Sequence, residues 1–564
     1  QASTAVEHYR RAEAIASDKY RPLVQISLAN ALLLDKQPAA ARAVYRAMPA
    51  PPSALQLAYK RGIGNLSLAE GDHAQALRLF GDVAAQAAGS DAAYHRLWGQ
   101  DGVGRTLLAM GRRDAARQAF ADAAATSEAI RSRFRSEEFK SGLFGDVQQV
   151  FDRAIDLAFE SGDVEGAWLL SEQSRSRALL DVVRDRVVAG AAAAADNAAS
   201  LRGVGAAVAR RHLREGEAIV AFHTLDDSVL AWVVRADGVQ GARLPLGRAA
   251  LALAVDAFRQ SVFNRKPAVT ALGAGLYTQL LAPLALRDGE QLLIVPHDSL
   301  HYLPFQALRD GAGSGARYLI ERHPLAFAPS AGIALALGQR RVAADHAGAS
   351  SAPRLVAFGN PGTDAQLALP DAEREVKLIG DLFPNNSIFT QAAASKQQFR
   401  QIAPSAGILH VAAHAEVDVV DPLQSRILLA PADGDSGFLA AREVYGLNLE
   451  RVSLVTLSAC ESGLGRIARG DEIMGFTRSF LSAGAASLLV SLWPVADDST
   501  ELLMTTLYGR LAAGGTAAQA MQAAQITVMR RPRFAHPFFW AAFDLVGDWR
   551  MTLAPPAGAR KAAL

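Results

Sequence analysis

At 564 residues the chain is too long for one hydrophobic core, and two to four domains are expected. Half of its residues are hydrophobic and a fifth are charged, the balance of a soluble globular protein. With 58 Lys and Arg against 56 Asp and Glu the formal net charge is +2, which gives no argument for direct nucleic-acid binding or for a membrane surface.

No apolar run reaches the roughly 18 residues that cross a bilayer. The single cysteine, Cys460, excludes an internal disulfide framework and a Cys-rich zinc site, and it fits a reducing, cytoplasmic compartment. The chain opens on Gln1 rather than Met, so an upstream segment is expected, and an export signal stays open.

The first part reads as a helical repeat array. The segments 33–45 (LLDKQPAAARAVY), 68–80 (LAEGDHAQALRLF), 108–120 (LAMGRRDAARQAF) and 158–170 (AFESGDVEGAWLL) share a pattern and are offset by 35, 40 and 50 residues. Each joins an apolar helix end, a turn, small residues and a large residue. Gly71, Gly111 and Gly162 stand where the turn needs a permissive backbone. Ala74, Ala115 and Ala167 are expected to let paired helices approach. The array resembles tetratricopeptide repeats, whose period is about 34 residues, and such arrays present a groove to a partner. An Ala-rich stretch at 186–209 reads as a linker or a solvated helix.

Beyond it, 218–225 (AIVAFHTL) and 228–238 (SVLAWVVRADG) predict a hairpin turning at Asp226 and Asp227. Helical periodicity covers about 247–284, and a buried strand begins at 291. From 353 onward strands alternate with helices. The strands are 354–361, a short SIFTQ, 407–414 (GILHVAAH), 452–460 (VSLVTLSAC), 486–493 (ASLLVSLW) and 542–548. An amphipathic helix at 371–383 carries Ala372, Val376, Ile379 and Phe383 on one face, and Ser395 caps a short helix. Helices also fill about 471–483, 498–512 and 515–530. This alternation predicts a mostly parallel sheet covered by helices, in an α/β domain that follows an α-helical solenoid.

In an open parallel sheet, sites form beyond the carboxyl ends of the strands. One strand ends at His414 and another at Cys460, 46 residues later. If the two strands are neighbours, imidazole and thiol face one crevice, the minimum for acyl transfer through a thiolate. The residues alone leave a second reading open, in which Cys460 is a small buried apolar residue and His414 a structural one. His410 and His414 have the spacing of a metal pair on a helix, but on a strand they stand about 13 Å apart. GLGRIA at 463–468 lacks the third glycine of a dinucleotide fingerprint. There is no GxxxxGK[ST], HExxH or GxSxG, so neither cofactor nor metal is expected.

Residues 291–549 resemble a CHAT-domain protease of the caspase-like, separase-related clan CD. The resemblance rests on PHDSLHYLPFQALRD, LPDAEREVKLIGDLF, LHVAAHAEVDVVDPLQSRILLA, LSACESGLG, GDEIMGFTRSFLSAGAASLLVSLWPVADDST and AHPFFWAAFDLVGD, in that order. Tetratricopeptide repeats often precede such domains, and with them the resemblance covers nearly the whole chain. It implies repeats over 1–185, a linker or helix over 186–215, a catalytically inert first half over 216–345 and a caspase-like half over 346–564.

The resemblance further implies that His414 and Cys460 form a catalytic dyad that cleaves peptide bonds through a thioester, with no third member. The backbone N–H groups of Ala415 and Cys460 would hold the oxyanion. Caspase-like proteases mostly carry glycine where this chain has Ala415, which restricts φ. The strand ending at Trp493 should lie beside the Cys460 strand. Trp493 and its loop, with Asp497 and Asp498, would contact substrate near the residue on the acyl side of the cut bond, the aspartates ready to accept a basic side chain; capping of the next helix is the other reading of these aspartates. Glu375 lies in a family-like block without an evident role.

The function expected is a cysteine endopeptidase acting on a protein substrate, with a protein regulator or the substrate on the repeat groove, in a bacterial signalling or defence setting. The alternatives are a non-catalytic signalling scaffold and an acyltransferase or hydrolase acting on a small amide or thioester.

Overall fold

The computed structural model describes residues 2–88, 92–131, 137–175, 179–183, 204–346, 353–362, 368–418, 420–432, 434–458, 467–468, 472–473, 475–495 and 497–553. It divides into two units, Gln1–Leu170 and Ser171–Leu564.

The first unit is helical. Its helices are α1 (Ala2–Ile15), α2 (Arg21–Leu34), α3 (Pro38–Ala47), α4 (Gln56–Ala69), α5 (His73–Gln86), α6 (Ala93–Ala109), α7 (Arg113–Arg131) and α8 (Glu137–Glu160); α9 (Val164–Gln173) runs past its end. Gly71, Gly111 and Gly162 adopt φ of +82°, +73° and +83° in the turns, as their spacing predicts. In the first copy Lys36 takes that left-handed conformation instead, at φ 58°. Ala167 is buried as expected, but in two other copies the small residues that let helices approach are offset from the expected ones. Ala74 is exposed and Ala115 only half-buried, whereas Ala76, Ala116 and Ala167 are fully buried. In α6 the close approach is made by glycine. A Cβ on Gly102 would lie 2.2 Å from the Phe80 ring, and one on Gly104 2.6 Å from the Phe120 ring.

The second unit is built on one eleven-stranded sheet. Its first strands, β1 (Glu217–Thr224), β2 (Val229–Arg235) and β3 (Gly238–Leu244), form an antiparallel meander, closed at Asp226 and Asp227 by Leu225 N–H donating to the Ser228 carbonyl at 2.8 Å. β3 has no apolar alternation in its GVQGARL sequence, and it lies at the sheet edge with most of its residues at least partly exposed. The strands β4 (Gln291–Val295), β5 (Leu325–Phe327), β6 (Leu355–Gly359), β7 (Asn386–Thr390), β8 (Ile408–Ala412), β12 (Leu454–Ser458), β15 (Ser487–Ser491) and β16 (Phe543–Gly547) complete it. The order is β3-β2-β1-β4-β5-β16-β15-β12-β8-β6-β7. β6, β8, β15 and β16 are buried at every position, as strands covered on both faces must be.

One antiparallel step inside this sheet decides where a site can form. β16 runs parallel to β5 but antiparallel to β15. The parallel set β1, β4, β5 and β16 therefore points opposite to the parallel set β15, β12, β8, β6 and β7. The carboxyl ends of β8 and β12 open at one edge, and those of β1 and β4 at the other.

A three-stranded antiparallel sheet, β9 (Ala415–Glu416), β10 (Arg426–Leu428) and β11 (Phe438–Ala440), follows β8. β13 (Ile467–Ala468) and β14 (Glu472–Ile473) pair as a short ribbon, so the helix expected from about 471 starts later, as Phe476–Ala483. The Pro370–Gly380 helix buries Val376 and Ile379 as expected, with Ala372 half-buried, and Phe383 is buried just beyond its end; Ser395 accepts the Gln398 N–H at 3.2 Å. Most of the Ala-rich stretch lies outside the described residues. Its end forms the Ala206–His212 helix, with Ala206 and Ala209 buried.

Candidate active site at the ends of two adjacent strands

β8 and β12 are parallel neighbours, in a register that sets Ala412 opposite Ser458. His414 follows Ala412 by two residues and Cys460 follows Ser458 by two. Cys460 lies outside the described residues, as do the glycines after it. His414 is half-buried, and its carbonyl accepts the Leu428 N–H at 2.9 Å. The chain turns there from β8 into β9.

The antiparallel pairing sets Ala415 opposite Ile427 and Glu416 opposite Arg426. Because His414 and Leu428 form a hydrogen-bonded pair, the alternation of such ladders turns the Ala415 N–H away from β10. Ala415 is extended rather than left-handed, so the conformation observed here does not require glycine.

The residues suggested for substrate contact are placed differently from one another. Trp493 follows β15, which does pair with β12. Its indole is 3% exposed and its N–H donates to the Phe538 carbonyl at 3.1 Å. Asp497 is the first residue of the Asp497–Ala512 helix, and its side chain lies outside the described residues. Asp498 accepts the Ser499 N–H at 3.0 Å and pairs with Arg533 at 2.6 Å. His536 accepts the Phe538 N–H at 3.2 Å, a structural contact.

Beyond His414, the face of the small sheet that carries Glu416, Arg426 and Phe438 borders an open groove of about 810 Å³, also lined by Lys396, Arg442 and Glu443. Arg426 pairs with Glu416 at 2.6 Å and lies 4.2 Å over the Phe438 ring. Lys396 pairs with Glu443 at 2.9 Å. Burial raises the Glu443 carboxyl, but the Ala440 N–H and Lys396 outweigh it and hold it below its ordinary range.

A buried polar cluster escaped the sequence reading. His410 of β8 and Thr456 of β12 are register partners, both fully buried. The Tyr508 hydroxyl lies 2.7 Å from Thr456 Oγ1 and 3.1 Å from His410 Nδ1. Glu375, on the buried side of the Pro370–Gly380 helix, places Oε1 2.8 Å from His410 Nε2, at ion-pairing distance though not aligned as a hydrogen bond. Burial pushes the Tyr508 hydroxyl well above its ordinary pKa. The signal in the sequence is slight: one polar residue in each of the otherwise apolar runs ILHVA and LVTL, at matching positions.

Among the described residues no group of three or more His, Cys, Asp or Glu side chains is arranged to hold a metal ion. Nor is any helix long and apolar enough to cross a membrane.

A helical region followed by a mixed-sheet α/β domain is the fold class of separase. Two crystal structures of the Saccharomyces cerevisiae separase–securin complex superpose with TM-scores of 0.50 and 0.53, at 10% and 9% identity, covering 96% of this chain and 48% of the separase chain. Residues 270–548 match the family model of the CHAT domain, and this part of the chain is a CHAT domain. Among curated proteins the chain is similar to tetratricopeptide repeat protein 28 of Homo sapiens, 25% identical over 340 residues, and of Mus musculus, 25% identical over 330. These alignments cover 51% and 48% of this chain and 13% of each relative's length.

Proposed function

We propose that the protein is a cysteine endopeptidase with His414 and Cys460 as its dyad. The observation that carries this reading is the register of β8 and β12, in which the two residues follow a directly opposed pair by the same number of steps. The Cys460 thiolate attacks the carbonyl carbon of a peptide bond, and the His414 imidazolium protonates the departing amine. Water then hydrolyses the thioester, with His414 taking its proton. The Ala415 N–H, unused by the β9–β10 ladder, is one donor for the oxyanion, with the Cys460 N–H as the second. The CHAT domain and the separase-like fold support a peptidase of this kind.

The helical array is proposed to bind a protein regulator or the substrate; the separase structures are of a complex with securin, a protein partner. Proteome-wide mapping of new peptide ends, comparing wild type with Cys460→Ala, tests the activity. Cuts present with wild type and absent with the variant support it. Equal cutting by both overturns it, and no cutting by either, with Cys460 unreactive toward peptide electrophiles, favours a non-catalytic scaffold.

A further inference from the structure

We infer that Tyr508, with Thr456, His410 and Glu375, is a positioning network that sets the lateral spacing of β8 and β12 at the ends that carry His414 and Cys460. The inference rests on the dyad reading and adds to it residues that touch neither substrate nor the reacting atoms.

The placement is the first argument. His410 precedes His414 by four residues, and Thr456 precedes Cys460 by four. The register that opposes Ala412 to Ser458 also opposes His410 to Thr456. The network therefore sits one level down the same pair of strands, about 13 Å along the chain from the site. At that depth it supports the geometry without entering the chemistry.

The second argument is cost. Apart from half-buried Ser458 at the end of β12, both strands are otherwise apolar and buried, in a sheet where Val or Leu packs without penalty. A buried hydroxyl or imidazole there is unfavourable unless it is hydrogen-bonded. Tyr508, fully buried and edge-on to both His410 and Phe383, bonds to both strands with a single oxygen. Glu375 closes the far side of the imidazole at 2.8 Å.

The third argument is what the network joins. Glu375 comes from the helix Pro370–Gly380, and Tyr508 from the helix Asp497–Ala512 that follows the Trp493 loop. These two helices pack on each other. Apolar packing would hold the strands with little directional preference, whereas bonds to one hydroxyl fix both strands against one helix. Acyl transfer is sensitive to displacements of about 1 Å, so directional support beneath the dyad has a use that packing alone does not meet.

The test uses the full chain and needs no substrate. Cys460 is the sole cysteine, so its rate of alkylation by iodoacetamide across pH reports its thiolate alone. Tyr508→Phe and Thr456→Val each remove one hydroxyl with little change of shape. Each is expected to move the alkylation midpoint up by about one pH unit, a tenfold slower reaction below the midpoint, with the high-pH plateau unchanged. The double variant is expected to match the single ones, because both act through one chain of bonds. Thr456→Ser keeps the hydroxyl and is expected to keep the wild-type profile. Wild-type profiles in Tyr508→Phe and Thr456→Val, whatever their thermal stability, would reduce the network to core packing and overturn the inference. His414→Ala separates the two claims. An unmoved profile there overturns the dyad reading itself, whereas a shift there with none in Tyr508→Phe overturns the positioning role alone.

Discussion

Gln306 and Asp544, from opposite halves of the second unit, meet in its core: the Gln306 amide donates to Asp544 Oδ1 at 3.1 Å and to the Ala541 carbonyl at 2.7 Å. Both side chains are buried. Burial pushes the Asp544 carboxyl up to about 8, against the smaller opposing effect of the Gln306 bond. The folded protein thus holds a proton that the unfolded chain releases near its ordinary value of 3.8. Between these two values the unfolded state binds fewer protons, so this group's contribution to stability falls as pH rises. Asp544→Asn keeps an acceptor for Gln306 and removes the titration. Urea unfolding at pH 5, 6, 7 and 8 is expected to show the variant gaining on wild type by about 1.4 kcal/mol per pH unit, with no further gain well above pH 8. A constant difference across the series would mean that Asp544 is ionised throughout.

Arg235 and Glu290 form a second buried contact, with both side chains about 5% exposed. The guanidinium holds the carboxylate through two bonds, Nε to Oε1 at 2.5 Å and Nη2 to Oε2 at 2.9 Å. Burial raises the Glu290 carboxyl most, but Arg235, the Arg287 N–H and both positive charges together hold it below its ordinary range. Glu290→Gln leaves a buried cation without its counter-charge and is expected to cost about 3–5 kcal/mol. Replacing both residues by apolar ones of similar volume is expected to cost much less. Chemical denaturation of the single and double variants separates the two outcomes.

Two glycines of the helical unit are expected to respond in opposite directions to the same substitution. A Cβ on Gly99 of α6 would lie 2.7 Å from the Ala84 nitrogen and 3.0 Å from the Phe80 carbonyl oxygen, backbone atoms that cannot turn aside. A Cβ on Gly81 of α5 meets nothing within 4 Å. Alanine gains about 1 kcal/mol over glycine in a helix interior, and overpacking costs about 1–3 kcal/mol. Gly81→Ala is therefore expected to raise the melting temperature and Gly99→Ala to lower it.

Asp497 and Asp498 are distinguishable as contacts for a basic side chain. Asp498 is already engaged by Arg533 and the Ser499 N–H. Labelling of Cys460 by a pair of peptidyl acyloxymethyl ketones, one ending in Arg and one in Leu, reads the preference directly. Asp497→Asn is expected to lower the Arg-to-Leu labelling ratio by about tenfold or more, the scale of a lost charge pair. Asp498→Asn is expected to change it by less than about twofold, as for an exposed ion pair. Equal small effects would assign both residues to the start of their helix.

What could be read locally was read from side chains that act locally. Apolar runs announced β1, β4, β6, β8, β12, β15 and β16. Gly71, Gly111 and Gly162 announced left-handed turns, and Ser395 a helix cap. Ala76 and Ala116 are buried where Ala74 and Ala115 are expected, because alanine-rich helices carry many small residues and periodicity alone does not choose among neighbours. β3 has no alternation to detect, and its place comes from the edge of β2.

His414 and Cys460 could be placed at strand ends from the sequence, but their relation could not be derived there. That β8 and β12 are adjacent, that Ala412 faces Ser458, that the sheet reverses between β15 and β16, and that Tyr508 reaches back to His410 and Thr456 are all decided by pairings between residues dozens of positions apart. A strand's hydrophobic pattern records which faces are buried, with a period of two, and is indifferent to which strand lies beside it. Neighbour and register are chosen by backbone hydrogen bonds and packing across the whole sheet, so they exist only once the chain has folded.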